Sequence, residues 1–356
     1  MGRVSADERD RRRDVGGADR NGSDGRDGRP ALSGERFVYR RAAGVTVLSA
    51  TMTRFAYKRH AHEEYALGVT QRGIQQYRLN GAQLASHRSG VMLFSPEQAH
   101  DGNAGDSGGI DYVMVYVPPA LFAEATGRPE VVRFDAPIVY DARLAAVVLR
   151  LAHGALLGRD EGLTSERLLL AAGLATSMAG GHGTKRQPPP APRHGGAVRR
   201  SMEMIREGMG ATLRLDDVCR EAGLSKFHFI RLFRDETGMT PYQYFLNCKV
   251  EHARHLLEAG ADTYDAMLEC GFYDLSHLNR HFKAMFGTTA TEYRRLWLRA
   301  GGEAAIPGGT GGPGMGVGEG TPRRDAPDRE AGGAGAVAGA DGPTCLAPEG
   351  CAGLFR

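Results

Sequence analysis

Residues 215–233 read LDDVCREAGLSKFHFIRLF. Val218 and Cys219 supply the apolar side of one short helix. Gly223 permits a sharp turn, and Ser225 is placed to cap a second helix by accepting a backbone N–H. On that second helix Phe229, Leu232 and Phe233 recur at i, i+3 and i+4, a stripe that a domain can bury. The opposite face carries Phe227, Ile230, Arg231 and Arg234. One face held and the other free is the geometry of a helix that enters the major groove of DNA.

The pattern returns downstream. Gly271 matches Gly223, and the stretch 271–287, GFYDLSHLNRHFKAMFG, predicts another helix with Leu278, Phe282 and Met285 on its buried side. Asp274 is placed to cap it. The outward face carries Leu275, Ser276, Asn279, Arg280 and Lys283. Between the units, Pro241 opens a long helix through Leu257 at its first turn, where a missing N–H costs nothing. A single helix-turn-helix match recurs by chance; two copies joined by one helix carry far more weight.

Here the chain resembles the AraC/XylS family of regulators, over roughly Leu213 to Arg295. The resemblance rests on LSKFHFIRLFRDETGMTPYQYF and GFYDLSHLNRHFKAMFGTTATEYRR. It implies that Phe227, Ile230 and Arg231 face bases in the first unit, and Leu275, Ser276, Asn279 and Arg280 in the second. Arginine can donate two parallel hydrogen bonds to guanine, asparagine can pair with adenine, and Ile230, Leu275 and Phe227 suit a thymine methyl. A lone surface arginine would ordinarily sit in an ion pair worth about 0–1 kcal/mol. Two such helices on one rigid connector should enter successive major grooves ~34 Å apart. The chain departs from the family twice: Ala266 precedes Met267 where a large aliphatic followed by Ala is usual, and the closing Thr-Pro is Thr289-Ala290.

The N-terminal part has a different period. From about Phe37 to Val117, short apolar runs alternate with turn signals: Val45, Val47 and Ser49; Tyr65 to Thr70; Ile74 to Leu79; Val91 to Phe94; and Ile110 to Val117. Asn80-Gly81 is a strong hairpin signal, because both turn residues must accept positive φ. A small antiparallel barrel or sandwich is the expected product. Residues 54–62, RFAYKRHAH, and 90–100, GVMLFSPEQAH, resemble the cupin-type effector and dimerisation domain of AraC-like regulators. In enzymatic cupins an H-x-H pair, a Glu four residues on and a later His ligate a metal. His60, His62 and His100 are present, but Ala66 holds the Glu position, and alternation along a strand would turn only one of Glu63 and Glu64 inward. The three histidines are therefore expected to line an effector pocket with Tyr77 and Tyr112, with no metal and no cofactor. The alternative is a metal-dependent cupin enzyme, or a bifunctional protein, using the same histidines.

Asp141 to Leu157 and Thr164 to Met178 read as two helices, with Leu144, Val147, Val148 and Leu151 on one face and Leu168, Leu169 and Ala172 on another. They either pack on the barrel or form a dimer seam. The expected fold is thus α+β. Residues 1–34 are a disordered tail, 35–180 a cupin-like sensor and dimerisation domain, 181–197 a Pro-rich linker, 198–299 an all-α tandem helix-turn-helix domain, and 300–356 a Gly-rich tail.

A formal net charge of +3 over 356 residues does not by itself imply nucleic acid. Five cysteines, with no C-x-x-C pair, point to a reducing, cytoplasmic setting. No apolar run is long enough to span a bilayer, and no phosphate loop, nucleophile elbow or zinc-finger spacing is present. The expectation is a non-enzymatic, effector-controlled regulator of transcription. Its expected partners are double-stranded DNA, a small molecule, a second copy of the chain and RNA polymerase, with no membrane.

Overall fold

The computed structural model describes residues 34–158, 161–179, 195–210 and 213–299. The expected tails, Gly34 apart, and most of the expected linker lie outside these residues.

Among the described residues, ten strands build the N-terminal part: β1 (Arg36–Ala42), β2 (Val45–Met52), β3 (Ala56–His60), β4 (Tyr65–Arg72), β5 (Gln75–Leu79), β6 (Ala82–Ser86), β7 (Val91–Phe94), β8 (His100–Ala104), β9 (Ile110–Val117) and β10 (Ile138–Val139). They form two antiparallel sheets, in the orders β1-β2-β9-β4-β7-β10 and β3-β8-β5-β6. The barrel is thus two hydrogen-bonded walls. Asn80 and Gly81 both take positive φ, 50° and 80°, and join β5 to β6 as a tight hairpin.

The six-stranded wall is buried on both faces, which is why β4 reads as a continuous apolar run. On its outer face Val45, Val47, Leu67, Val69, Val113 and Val115 pack against two helices, α2 (Ala142–Leu156) and α3 (Glu161–Ala179). A shorter helix, α1 (Pro119–Thr126), precedes them. Asp141 caps α2 by accepting the Leu144 N–H at 2.7 Å. Leu144, Val148 and Leu151 of α2 are buried against the sheet, and Leu168 and Ala172 of α3 join the same apolar cluster from outside, α3 packing on α1 and α2, so the packing alternative holds for these faces. Leu169 does not share it: with Leu163 and Leu170 it stands exposed on the far side of α3.

The C-terminal part is helical: α4 (Gly195–Glu207), α5 (Leu215–Ala222), α6 (Lys226–Thr237), α7 (Pro241–Glu258), α8 (Thr263–Glu269), α9 (Leu275–Phe286) and α10 (Ala290–Arg299). α4 begins three residues ahead of Val198. Gly223 closes α5 at φ 66°, the left-handed conformation that glycine adopts without strain. Thr240 and Gln243 form a reciprocal capping box on either side of Pro241, fixing the start of α7.

The inner face of the six-stranded wall shares one core with the second helix-turn-helix unit. Tyr39, Leu48, Met52, Tyr112 and Met114 belong to the same buried cluster as Val250, Leu257, Phe282, Tyr293 and Trp297. Polar contacts lock the junction. Asn247 exchanges two hydrogen bonds with the Ala61 backbone, at 2.9 and 3.0 Å. Tyr39 donates to the Phe286 carbonyl at 2.8 Å, Arg59 donates to the Gly238 carbonyl at 2.6 Å, and Arg206 pairs with Glu97. The Phe37 ring occupies the space that a Cβ at Gly287 would need.

Candidate nucleic-acid interface and barrel-mouth site

α6 divides as its pattern requires. Phe229 and Phe233 are fully buried against Val198, Ile205, Val218 and Tyr244, whereas Phe227 is 87% exposed. Arg231 and Arg234 are exposed beside it. Ile230 and Leu232 are each half-buried, so Leu232 flanks the anchoring stripe and Ile230 presents only part of its surface. Ser225 occupies the N-cap position but makes no side-chain capping bond; the Lys226–Asp216 ion pair at 2.7 Å ties this helix start to α5 instead.

α9 repeats the arrangement. Leu278, Phe282 and Met285 are buried, with Phe286 added to the stripe. Leu275, Ser276, Arg280 and Lys283 are exposed. Asp274 caps the helix through the His277 N–H at 2.6 Å. Asn279 differs from expectation, because its Oδ1 accepts the Ala290 N–H at 3.0 Å. The amide is partly committed to the start of α10, which leaves one lone pair of Oδ1 and the Nδ2 protons for a base and fixes the direction in which they point. Tyr273, in the turn just before α9, is 71% exposed and was not singled out from sequence. Its cue is an aromatic in a turn, flanked by the glycine and the cap.

The connector between the units is anchored from within. Lys249 on α7 is buried, donates to the Gly271 carbonyl at 2.7 Å and lies over the Phe245 and Phe272 rings. Long-range polar contacts of this kind fix the second turn relative to α7.

The five expected effector residues are all buried. His60, His62 and His100 come together, with ring centroids 4.6–5.4 Å apart. Tyr77 and Tyr112 are held by hydrogen bonds of their own. Tyr77 donates to the Pro137 carbonyl, and Tyr112 shares a 2.8 Å hydrogen bond with Tyr57. Phe94 stacks on His100 at 4.2 Å, while Tyr116 and Phe286 contact His62. The histidines are thus flanked by the barrel's own aromatics and by Phe286 of α9. A cleft of ≈ 410 Å³ lies elsewhere, lined by residues 127–133 and Thr176.

Electrostatics at the mouth are equally specific. Burial pushes His60 down to about 3 and His62 down to about 4, so both rings are neutral at ordinary pH. Residues 61–64 are not in a strand, and both acids there turn towards α7, contrary to strand alternation. Glu64 pairs with Arg254 at 2.7 Å, and Glu63 lies 3.7 Å from His255. Arg254 also holds Glu251 at 2.8 Å and Glu258 at 3.1 Å. Burial raises Glu251 to about 7 against the pull of Arg254. Ala66 packs in β4, opposite Phe94 on one side and Tyr116 on the other, and no carboxylate replaces it.

A sequence family described as an AraC-like ligand binding domain matches residues 42–175, and one described as a helix-turn-helix domain matches residues 218–296. The chain belongs to the AraC-like regulators. A helix-turn-helix transcriptional regulator of Bacillus subtilis, YbfI, is 25% identical over 223 residues, covering 62% of this chain and 80% of that protein. The MmsAB operon regulatory protein of Pseudomonas aeruginosa is 33% identical over 92 residues, 26% of this chain and 30% of its own length. ToxT from Vibrio cholerae superposes with a TM-score of 0.48 at 11% identity, over 71% of this chain and 98% of that one. This AraC-like regulator therefore joins a ligand-binding domain to a DNA-binding one. Among its described residues no helix is long and apolar enough to cross a membrane.

Proposed function

We infer that the chain is a cytoplasmic, non-enzymatic regulator that reads DNA through α6 and α9 together. Phe227, Ile230, Arg231 and Arg234 serve the first groove, and Leu275, Ser276, Asn279, Arg280 and Lys283 the next. The observation that carries this is the exposure of Phe227. A large aromatic left in water beside two arginines, on a helix whose opposite face is fully buried, fits a surface that becomes covered on binding. The duplex supplies that cover, with phosphates for the arginines and thymine methyls for the ring.

Control comes from a small molecule taken by the N-terminal domain, with His60, His62, His100, Tyr77 and Tyr112 at the junction that responds. A second copy docks through the exposed leucines of α3, and RNA polymerase is the partner on the promoter. Sedimentation of the full chain that finds only monomer would discard the homodimer.

Binding-site selection from random duplexes with the full chain tests the readout. Arg231→Ala and Arg280→Ala should each lose preference at different positions, one helical turn apart, by about 1–3 kcal/mol per base contact. A uniform, sequence-independent weakening in both variants would reduce the arginines to phosphate grips and sink the two-helix reading.

A further inference from the structure

We propose that His60, His62 and His100 form a three-histidine site for a divalent transition-metal ion, backed by Glu251 of α7 as the outer partner of His62. The ligand class follows from proton positions. A backbone carbonyl can only accept, so the 2.6 Å contact from His60 Nδ1 to the Lys58 carbonyl puts the proton on Nδ1 and leaves Nε2 bare. The 2.8 Å contact from His100 Nδ1 to the Gln98 carbonyl does the same for His100. His62 points Nε2 at His60 Nε2, 3.1 Å away, and Nδ1 towards Glu251 Oε1 at 3.5 Å. One ligand atom from each ring lies within 4.8 Å of the others.

Second-atom contacts of this kind, carbonyl or carboxylate on the far nitrogen, are what orient metal-binding imidazoles. Two nitrogens bound to one ion at about 2.0–2.1 Å stand roughly 3 Å apart, close to the His60–His62 separation. Glu251 adds an independent observation. It is almost wholly buried, and its Oε1 has no hydrogen-bond partner. With an ion on the three Nε2 atoms, His62 must carry its proton on Nδ1, facing that oxygen.

Charge points the same way. Arg254 meets Glu64, Glu251 and Glu258 at once, three carboxylates for one guanidinium. Of the other cations at this junction, Arg59 is spent on the Gly238 and Ala99 carbonyls and Arg206 on Glu97. A dication beside three neutral rings offsets the excess. Three imidazoles, with no thiolate and no carboxylate in direct reach, select zinc, nickel, cobalt or copper over magnesium or calcium.

As a metal site this stands apart from the DNA reading. As an input to regulation it rests on that reading, since Glu251 lies on the helix that joins the two units. The test therefore reads the metal without DNA. The full chain, stripped with chelator, is titrated with Co²⁺ and followed by visible absorption, then competed with Zn²⁺. One equivalent per chain is expected, absent in His60→Gln and His100→Gln and displaced by Zn²⁺. Glu251→Gln should keep the spectrum while weakening affinity about 10–100-fold, which a merely structural role would not do. His277 and His281, neighbours on α9 with ring centroids 4.8 Å apart, are the rival pair. Binding that survives His60→Gln and His100→Gln but vanishes in His277→Gln/His281→Gln overturns the proposal, as does no stoichiometric binding in the parent. Thermal unfolding of each metal-free variant separates lost ligands from a lost fold: Zn²⁺ should raise the Tm of the parent and leave the His60 and His100 variants unmoved.

Discussion

At the scale of single residues, the two recognition helices are less alike than their patterns. In the first unit the connector opens with Thr240-Pro241, and proline has no N–H to give. In the second the corresponding pair is Thr289-Ala290, and the Ala290 N–H takes the Asn279 oxygen. The departure from the family thus reaches the groove-facing surface through one hydrogen bond. Replacing Ala290 with proline should release Asn279. The position is the first of α10, Thr289 already caps it through the Glu292 N–H, and proline is well tolerated there. We expect Ala290→Pro to cost no more than about 1.5 kcal/mol in urea unfolding. In site selection it should sharpen preference at the base under Asn279 by about 1–3 kcal/mol. An unchanged selection profile would show that this contact has no bearing on readout.

At the scale of elements, the helix caps differ in kind although the sequence presents both as caps. Asp274 accepts the His277 N–H, whereas Ser225 makes no side-chain capping bond. Asp274→Ala should therefore cost about 1 kcal/mol, and Ser225→Ala only a few tenths, in matched denaturant melts. Equal losses would mean that Ser225 caps in solution. The elements themselves were legible. Gly223 and Gly271 between amphipathic runs marked both turns, and Asn80-Gly81 marked the β5–β6 hairpin, because each signal is local. Half-buried strands were harder: β1, β3, β6 and β8 carry polar residues at alternate or irregular positions and gave no apolar run. The three histidines are legible as a group, for an effector or in the alternative a metal, but the choice between the two is not. That depends on which ring nitrogen meets which carbonyl, and spacing does not report it.

At the scale of the whole molecule, the decisive contacts are the ones no window of sequence contains. Ala61 and Asn247 stand 186 residues apart and exchange a full pair of hydrogen bonds. Glu64 and Arg254 stand 190 apart. Asn247→Ala would strand a buried N–H and a buried carbonyl, at about 1–3 kcal/mol for each group. Hydrogen exchange of the full chain should then show faster exchange at the Ala61 amide, with little change in the α2–α3 helices on the far side of the sheet. If that amide stays protected, the junction is held without Asn247. The shared aromatic junction also bears on any attempt to build hybrid regulators by exchanging sensing halves. Phe37, Phe55 and Tyr57 meet edge to face beneath α9, and Tyr39 lies against Tyr293. Dividing the sequence between the halves leaves this junction to be matched side chain by side chain. A transplanted half would carry an oily rim shaped for its old neighbour, and it would clump or sit crooked unless the facing side chains of α7, α9 and α10 travelled with it.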